Sequence, residues 1–151
     1  MIEGVRIKRL TRHLDDRGYL VEILRDDDAE FIRFGQVYVS TCHPGVVKAW
    51  HAHRLQTDHL FVARGIAKVG LYDDREQSST RGETQGVILS ELEPMLLQVP
   101  PLVWHGYTAL ANDIAYLINI PTHHYNREEP DELRRDPADP AINFHWSARS
   151  R

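Results

Sequence analysis

Two histidines and an aspartate lie within eight consecutive positions, and their side chains could form a reactive pocket or a metal site. His51 and His53 are two residues apart, so both point to the same face if this stretch is extended. A strand that starts at Asp58 would turn that carboxylate and Leu60 to one face and His59 to the other. Two imidazoles and one carboxylate that converge can transfer protons, bind a divalent metal, or do both.

The elements that must position these side chains are β-strands. Short apolar or alternating runs, separated by turn signals, extend from Tyr19 to Ile120, which is typical of an all-β sandwich or barrel. No long helical period interrupts them. The predicted strands are Tyr19–Leu24, Phe34–Thr41, Val47–His53, Asp58–Arg64, Ile66–Tyr72, Gly86–Leu89, Met95–Val99, Val103–Ala109 and Ile114–Ile120.

The size and composition of the chain predict one globular domain. Its 151 residues are 42% hydrophobic and 26% charged, so we expect a single domain over residues 1–151. After Thr122 the sequence is rich in Pro, Asp, Glu and Arg, and we expect a short irregular or helical C-terminal tail. Trp146 is the candidate anchor of that tail.

Charge and cysteine content limit the partners and the compartment. A net charge of −4 disfavours nucleic acid, and no apolar run approaches the roughly 18 residues that suggest a membrane span. The single cysteine, Cys42, excludes an internal disulfide framework. Because the first residues also lack the apolar segment of a signal peptide, we expect a cytoplasmic protein.

A second segment adds a third imidazole. It reads Pro-Pro-Leu-Val-Trp-His and ends at His105. Together with Gly-x5-His-x-His-x4-Asp-x6-Gly it resembles the two-motif signature of the cupin superfamily, whose small β-barrels often hold a divalent metal. Asp58 stands where that signature has glutamate. On this interpretation His51, His53, Asp58 and His105 are ligands for Zn, Ni, Fe or Mn.

A second resemblance covers residues from about 15 to Tyr125. Its landmarks are, in order, Asp16-Arg17-Gly18-Tyr19-Leu20-Val21-Glu22, Phe34-Gly35-Gln36, Ser40, His51, Gln56, Asp74-Arg75, residues 78–82, Leu89-Ser90, Val99-Pro100 and His105-Gly106-Tyr107. They are similar to those of the dTDP-4-dehydrorhamnose 3,5-epimerases. That resemblance implies an all-β, cupin-type jelly-roll barrel, usually a homodimer, that acts on nucleotide-linked 4-keto-6-deoxysugars and requires no metal or other cofactor.

The same resemblance implies roles for individual residues. His51 matches the general base that removes a proton from the carbon beside the sugar ketone, a task that suits an imidazole titrating near neutrality. Arg17 and Lys48 match groups that bind the nucleotide diphosphate, with Lys48 in place of the usual arginine. Further positions expected in the substrate pocket are Gln36, His53, Asp58, His105, Tyr107 and Asn119.

Two positions depart from the epimerase pattern. Asp58 falls where the family has a lysine that stabilises the enolate, and a negative charge there would destabilise a developing oxyanion. Asn119 falls where the family has its tyrosine acid. The substitutes for that acid that the sequence offers are Tyr38, Tyr107, Tyr116 or a histidine. The aspartate expected to orient His51 is Asp131, Asp136 or Asp139.

The His-Ala-His segment also suggests another isomerisation. Residues 48–54 resemble the Arg-Gly-x-His-Ala-His-Lys segment of sugar-nucleotide 3,4-ketoisomerases, in which both histidines transfer protons. Two histidines on one face can deliver and remove protons on neighbouring carbons. His51, His53 and Asp58 are therefore the candidate catalytic residues.

Three functions remain open from the sequence. The first is a nucleotide-sugar epimerase or isomerase of deoxysugar or surface-polysaccharide biosynthesis. The second is a metal-dependent cupin enzyme, and the third is a sugar-nucleotide binding protein without catalysis. A homodimer is expected in each case.

Four further histidines are expected at the surface or at an interface rather than as ligands, namely His59, His123, His124 and His145.

Overall fold

The computed structural model describes residues 1–147, and within them the chain forms twelve β-strands. In chain order the strands are β1 Arg6–Arg9, β2 Arg12–Asp15, β3 Gly18–Val21, β4 Tyr38–Cys42, β5 Val47–Ala52, β6 Asp58–Arg64, β7 Ile66–Asp73, β8 Thr84–Ser90, β9 Met95–Val99, β10 Val103–Ala109, β11 Ala115–Asn119 and β12 Leu133–Arg134. The expected all-β class is confirmed. Over the same residues no helix combines the length and hydropathy that a membrane crossing requires.

The strands form two five-stranded sheets and a separate hairpin. The first sheet has the order β1-β9-β6-β11-β4, the second has the order β12-β5-β10-β7-β8, and β2 pairs with β3 alone. Both five-stranded sheets contribute to one hydrophobic core, which includes Leu60, Leu97 and Leu117 from the first and Val69 and Val103 from the second. Because inward side chains of both sheets are apolar at alternate positions, burial of these faces drives the sheets together.

Cross-strand pairing places the candidate residues side by side. In the second sheet β10 pairs with β5, and His105 lies opposite His51. In the first sheet β11 lies between β4 and β6, so that Asn119 is opposite Tyr38 on one side and Leu60 on the other. Residues far apart in the sequence therefore meet at one end of the two sheets.

The bounds of several strands agree with the sequence pattern. Three strands have the predicted bounds: Asp58–Arg64, Met95–Val99 and Val103–Ala109. The strand predicted from Phe34 begins only at Tyr38. The backbone N–H groups of Gly35 and Gln36 both donate to the carbonyl oxygen of Pro121, at 3.0 and 3.4 Å, and so do not join the ladder.

The C-terminal tail is irregular rather than helical. Within residues 122–147 the regular element is β12, which pairs with β5, and prolines recur too often for a helix to form. Of the two alternatives predicted for the tail, irregular or helical, the irregular one is confirmed over these residues. The predicted anchor is confirmed, since the Trp146 ring lies 4.7 Å from that of Trp50, a residue only 1% exposed.

Candidate functional site

A cavity of about 830 Å³ is lined by both five-stranded sheets, by the loop between β5 and β6, and by the first part of the tail. Its size is in the range of small-molecule sites. Seven of the side chains predicted from the sequence line it, namely Gln36, Lys48, His51, His53, His105, Tyr107 and Asn119. The structure thus brings most of the predicted set to one place.

Arg17 lies outside this cavity. It belongs to the turn between β2 and β3, where its guanidinium is ion-paired with Asp15 and its side chain is 86% exposed. The Asp15 carboxylate also accepts the backbone N–H of Arg17 at 2.8 Å. Within a single chain, Arg17 therefore stabilises a turn, and it is not among the residues of 1–147 that line the cavity.

Asp58 lies behind the cavity wall at the centre of a buried cluster. Its carboxylate is 1% exposed, and its Oδ2 lies 3.3 Å from His105 Nε2 and 3.5 Å from His53 Nε2. Its Oδ1 accepts hydrogen bonds from the side-chain amides of Gln56 at 2.8 Å and Asn119 at 2.7 Å. A carboxylate buried this deeply requires such partners.

Backbone carbonyl groups fix the orientation of both imidazoles. The Nδ1 of His105 lies 3.0 Å from the carbonyl oxygen of Val103, and the Nδ1 of His53 contacts that of Asp131. A carbonyl oxygen only accepts, so each Nδ1 carries the proton and each Nε2 is turned towards Asp58. The expectation that His53 and Asp58 converge is therefore met.

Charge in this cluster is mutually stabilised. Burial disfavours ionisation of Asp58, but its interaction with His105 and His53 outweighs that cost and lowers its pKa to about 2. Burial likewise disfavours the imidazolium form of His105, and the neighbouring Asp58 carboxylate still raises the pKa of His105 above its ordinary value. The negative charge of Asp58 is thus balanced locally.

His51 occupies a different environment on the same wall. It is half-buried, and its Nε2 is 3.9 Å from Glu132 Oε1. Glu132 is in turn held by Arg134, whose Nε and Nη2 donate to Glu132 Oε2 at 3.0 and 2.7 Å. Burial and the positive charge of His105 lower the pKa of His51, so the imidazole is neutral at neutral pH and can accept a proton.

The carboxylate nearest to His51 is not one of the predicted aspartates. Asp131 instead accepts the backbone N–H groups of the three residues that follow His53, at 2.8, 3.0 and 3.2 Å. It therefore shapes the loop that carries His53 and Gln56. Asp136 and Asp139 accept backbone N–H groups within the tail. The carboxylate beside His51 is therefore that of Glu132.

Polar side chains on β4 and β11 line the other wall. The Oδ1 of Asn119 accepts the backbone N–H of His59 at 3.2 Å, and its Nδ2 donates to Tyr38 Oη at 2.9 Å. Tyr107 Oη donates to Ser40 Oγ at 2.7 Å. These contacts bring two phenol groups into the cavity in different hydrogen-bonding states.

One of the histidines predicted at the surface, His59, does not lie there. His59 is fully buried, with Nδ1 2.9 Å from the carbonyl oxygen of Ile120 and Nε2 2.9 Å from that of Glu30. The prediction that it lies at the surface is wrong, because β6 is covered on both faces. His123 and His124 line the cavity, where the tail folds back over it.

The tail contributes more of the cavity lining than the single aspartate that the sequence predicts. Residues 123–126 and 129–132 line it, and Tyr125 is bound there through its backbone N–H, which donates to Gln36 Oε1 at 3.2 Å. The signal that could have indicated a role in lining the cavity is the tail's content of aromatic and charged residues. A chain end that is only solvated does not require aromatic side chains.

Comparison with known proteins gives a consistent result. The sequence matches the dTDP-4-dehydrorhamnose 3,5-epimerase family over residues 1–151. It is 44% identical over 151 residues to the spore coat polysaccharide biosynthesis protein SpsL of Bacillus subtilis, with all of both chains covered. It is 40% identical over 149 residues to the probable low-salt glycan biosynthesis epimerase Agl13 of Haloferax volcanii, covering 97% of this chain and 96% of that one.

Solved structures show the same fold. A dTDP sugar isomerase from Desulfovibrio desulfuricans superposes with a TM-score of 0.91 at 32% identity, covering 99% of this chain and 94% of that one. A 3,5-epimerase from Legionella pneumophila in complex with dTDP-4-keto-L-rhamnose has a TM-score of 0.84 at 26% identity, covering 94% of this chain and 78% of that one. The expected jelly-roll fold is confirmed, and the chain belongs to the dTDP-4-dehydrorhamnose 3,5-epimerase family.

Proposed function

We propose that this protein epimerises or isomerises a nucleotide-linked 4-keto-6-deoxysugar for a surface polysaccharide, with His51 as the base. The observation that carries the proposal is the state of His51: half-buried on the cavity wall, with a lowered pKa and a carboxylate 3.9 Å away. The names of the Bacillus and Haloferax relatives support a role in polysaccharide or glycan assembly. A cytoplasmic location stays a prediction.

The proposed chemistry moves protons only. A 4-keto group acidifies the carbons beside it, so His51 can take a proton from one of them while the C–H electron pair forms an enolate. Return of a proton to the opposite face of that carbon inverts it. No electrons leave the sugar, so this reaction requires no redox cofactor.

Charged groups at the cavity can hold the nucleotide diphosphate. Lys48 lines the cavity and its Nζ donates to Ser40 Oγ at 3.2 Å, which keeps the ammonium group at the wall. Arg33 and Arg54 line the same cavity. An ammonium group attracts phosphate as a point charge, and guanidinium groups can bind it through two oxygens. The cavity therefore has the cations that such a substrate needs.

The position of Asp58 favours retained catalysis. Its carboxylate faces His53 and His105 and is hydrogen-bonded by Gln56 and Asn119, so its charge is already compensated. A compensated carboxylate behind the wall opposes an enolate less than an exposed one in the cavity would. This supports an enzyme rather than a binding protein that has lost its chemistry.

A solvent-exchange experiment tests the proposal. The protein is incubated in D2O with a panel of dTDP- and CDP-linked 4-keto-6-deoxysugars, and deuterium is located by NMR. We expect incorporation at a carbon beside the ketone of at least one member. Ligand-induced thermal stabilisation without exchange would indicate a binding protein instead. If the protein neither binds any member of the panel nor catalyses exchange, the proposal is overturned.

A metal-dependent enzyme is the second candidate. Asp58 Oδ2 is buried and has no hydrogen-bond partner within residues 1–147. This oxygen and one ring nitrogen each of His53 and His105 all lie within 4.8 Å of one another. Histidines that donate Nδ1–H to a carbonyl are oriented as metal ligands usually are. The donor set fits Zn, Ni, Fe or Mn, but His51, the fourth ligand predicted, does not belong to the group.

Metal analysis of the protein separates the two candidates. If the metal site is real, protein grown with added Zn, Ni, Fe and Mn contains about one equivalent of metal, which is lost in Asp58→Asn. His51→Asn is the matched control and keeps the metal, because His51 lies outside the group of three. A content below about a tenth of an equivalent, or equal content in Asp58→Asn, contradicts the metal hypothesis.

We also propose that two single-domain chains form a homodimer. The detached β2–β3 hairpin exposes Leu14 and Leu20, and the edge strand β4, with the residue before it, exposes Val39 and Val37. An apolar edge strand with unpaired backbone groups is a surface that proteins usually cover. A dimer through this surface would also give Arg17 a route to a partner's cavity.

Hydrodynamic measurement tests the dimer. Light scattering after size-exclusion chromatography is expected to give about twice the 17.5 kDa chain mass. Val39→Glu introduces a charge into the exposed apolar surface and is expected to yield monomer. Ile88→Glu, at an exposed apolar position on the other sheet, is the matched control and stays dimeric. A monomeric wild-type protein, or a dimeric Val39→Glu variant, contradicts this interface.

A further inference from the structure

The proposed reaction needs a second proton carrier opposite His51. His51 belongs to β5 of the second sheet, whereas β4 and β11 of the first sheet line the cavity from the other side. Inversion requires that a proton leave one face of the carbon and return to the other. The second carrier is therefore expected on the wall formed by β4 and β11.

Three other tyrosines are poorly placed for this role. Tyr107 belongs to β10, in the same sheet as His51, and its hydroxyl proton is donated to Ser40 Oγ at 2.7 Å. Tyr116 belongs to β11, but its ring lies under the Arg64 guanidinium, 6.0 Å away, and it does not line the cavity. Tyr125 is on the tail between β11 and β12, and so does not belong to the wall formed by β4 and β11.

Tyr38 has a hydroxyl proton that its neighbours leave available. The Oδ1 of Asn119 accepts the backbone N–H of His59, which fixes the amide so that Nδ2 faces the cavity side. That Nδ2 donates to Tyr38 Oη at 2.9 Å and to Asp58 Oδ1 at 2.7 Å. Because an amide nitrogen only donates, Tyr38 Oη is the acceptor and its own O–H is free to donate into the cavity.

We propose that Tyr38 is the catalytic acid that completes the inversion begun by His51. This inference rests on the proposed function and deepens it. Asn119 stands where the epimerase pattern has its tyrosine, and Tyr38 is its cross-strand partner on β4. The phenol is thus carried by β4, whereas the epimerase pattern places it at the position of Asn119 on the neighbouring strand β11. Burial raises the pKa of Tyr38, so the group is protonated at neutral pH.

Inversion at this carbon takes two proton transfers. His51 gains a proton from the carbon beside the ketone, and the C–H electron pair forms the enolate. The Tyr38 O–H bond then breaks, the enolate electron pair forms the new C–H bond on the opposite face, and the ketone is restored. The enzyme is left with imidazolium and phenolate, and exchange with water returns both groups to their starting states.

Tyr38→Phe separates proton removal from inversion. In D2O the variant is expected to exchange the proton beside the ketone of the recovered, uninverted substrate, because His51 still acts, while formation of the inverted product falls about 100-fold or more. Tyr116→Phe is the matched control and keeps wild-type exchange and inversion. Equal melting temperatures for wild type and Tyr38→Phe show that the fold is intact.

Each other outcome has a definite meaning. Wild-type inversion by Tyr38→Phe, or parallel loss of exchange and inversion, overturns the role of Tyr38 while the proposed function stands. Exchange without inversion in Tyr107→Phe or Tyr125→Phe, but not in Tyr38→Phe, assigns the acid to that residue instead. Absence of exchange in the wild-type protein with every substrate of the panel refutes the proposed function, and this inference with it.

Discussion

His51→Asn is expected to abolish deuterium uptake beside the sugar ketone and to lower kcat/KM about a thousandfold. Asparagine is similar in size to histidine but cannot accept the proton at neutral pH. The change removes the imidazole whose pKa is lowered by burial and by the charge of His105, and which is therefore neutral and able to act as a base. NMR detection of deuterium in D2O and steady-state kinetics measure the two effects separately.

The controls for His51→Asn distinguish a lost base from a damaged site. His145→Asn removes an exposed histidine that does not line the cavity and is expected to behave as wild type. Thermal stabilisation of His51→Asn by dTDP is expected to match that of wild type, because the cations that attract phosphate remain. Retention of more than about a tenth of wild-type kcat/KM would show that another residue is the base.

His53→Asn decides between two isomerisations. His53 Nδ1 is engaged by the Asp131 carbonyl and its Nε2 faces Asp58, so it presents no free N–H to a substrate. In an epimerase its loss should disturb the cluster without abolishing exchange. A loss of exchange as complete as in His51→Asn would favour the two-histidine mechanism of a ketoisomerase.

Much of the fold can be predicted from the sequence because most of its strands are short, mainly apolar runs separated by turn residues. β6, β9 and β10 are five to seven residues long, mostly buried and bounded by turn residues, and their bounds follow from these features. β1, β2 and β12 are two to four residues long and rich in charge, so no periodicity marks them. They form because a partner strand already offers backbone donors and acceptors.

The site is predictable where it depends on local alternation and unpredictable where it depends on distant pairing. The shared direction of His51 and His53 follows from their spacing. The contact of Glu132 with His51 depends on a two-residue strand that pairs with β5. Likewise, the pairing of Tyr38 with Asn119 follows from the β4–β11 register, which nothing near either residue specifies.

The chemical meaning of Asp58 also changes once its neighbours are known. From the sequence, a carboxylate in the place of a lysine opposes an enolate by simple repulsion. In the structure its charge is used to hold His53 and His105 and to anchor the amide of Asn119. Asp58 thereby orients the side chain that contacts Tyr38, and it acts on the reaction through position rather than through direct contact.

Asp58→Asn is expected to lower the free energy of unfolding by about 3–5 kcal/mol, because removing one partner of a buried ion pair leaves the other uncompensated. Asparagine keeps the shape of the side chain but removes the charge that faces His105 and His53. The matched control is Asp113→Asn. The Asp113 carboxylate is 60% exposed and lies 3.8 Å from Arg64, so its replacement should change the free energy of unfolding by less than about 1 kcal/mol.

The pH dependence of this difference follows from the two pKa shifts. The pKa of Asp58 is lowered to about 2, so its contribution is present above the ordinary aspartate pKa and is lost as pH falls towards 2. The pKa of His105 is raised, so its contribution is complete below the ordinary histidine pKa and is lost as pH rises through the raised value. The difference between wild type and Asp58→Asn is therefore largest between about pH 4 and 6.5.

Urea unfolding in the presence of EDTA at several pH values measures this difference for the metal-free protein. The expected result is a maximum at mildly acidic pH that narrows on both sides, with no such maximum for Asp113→Asn. A difference that does not vary with pH would mean that Asp58 acts through its hydrogen bonds to Gln56 and Asn119 alone. If Asp58→Asn and Asp113→Asn are equally stable, the buried cluster around Asp58 does not form. In that case Asp58 does not orient Asn119 towards Tyr38.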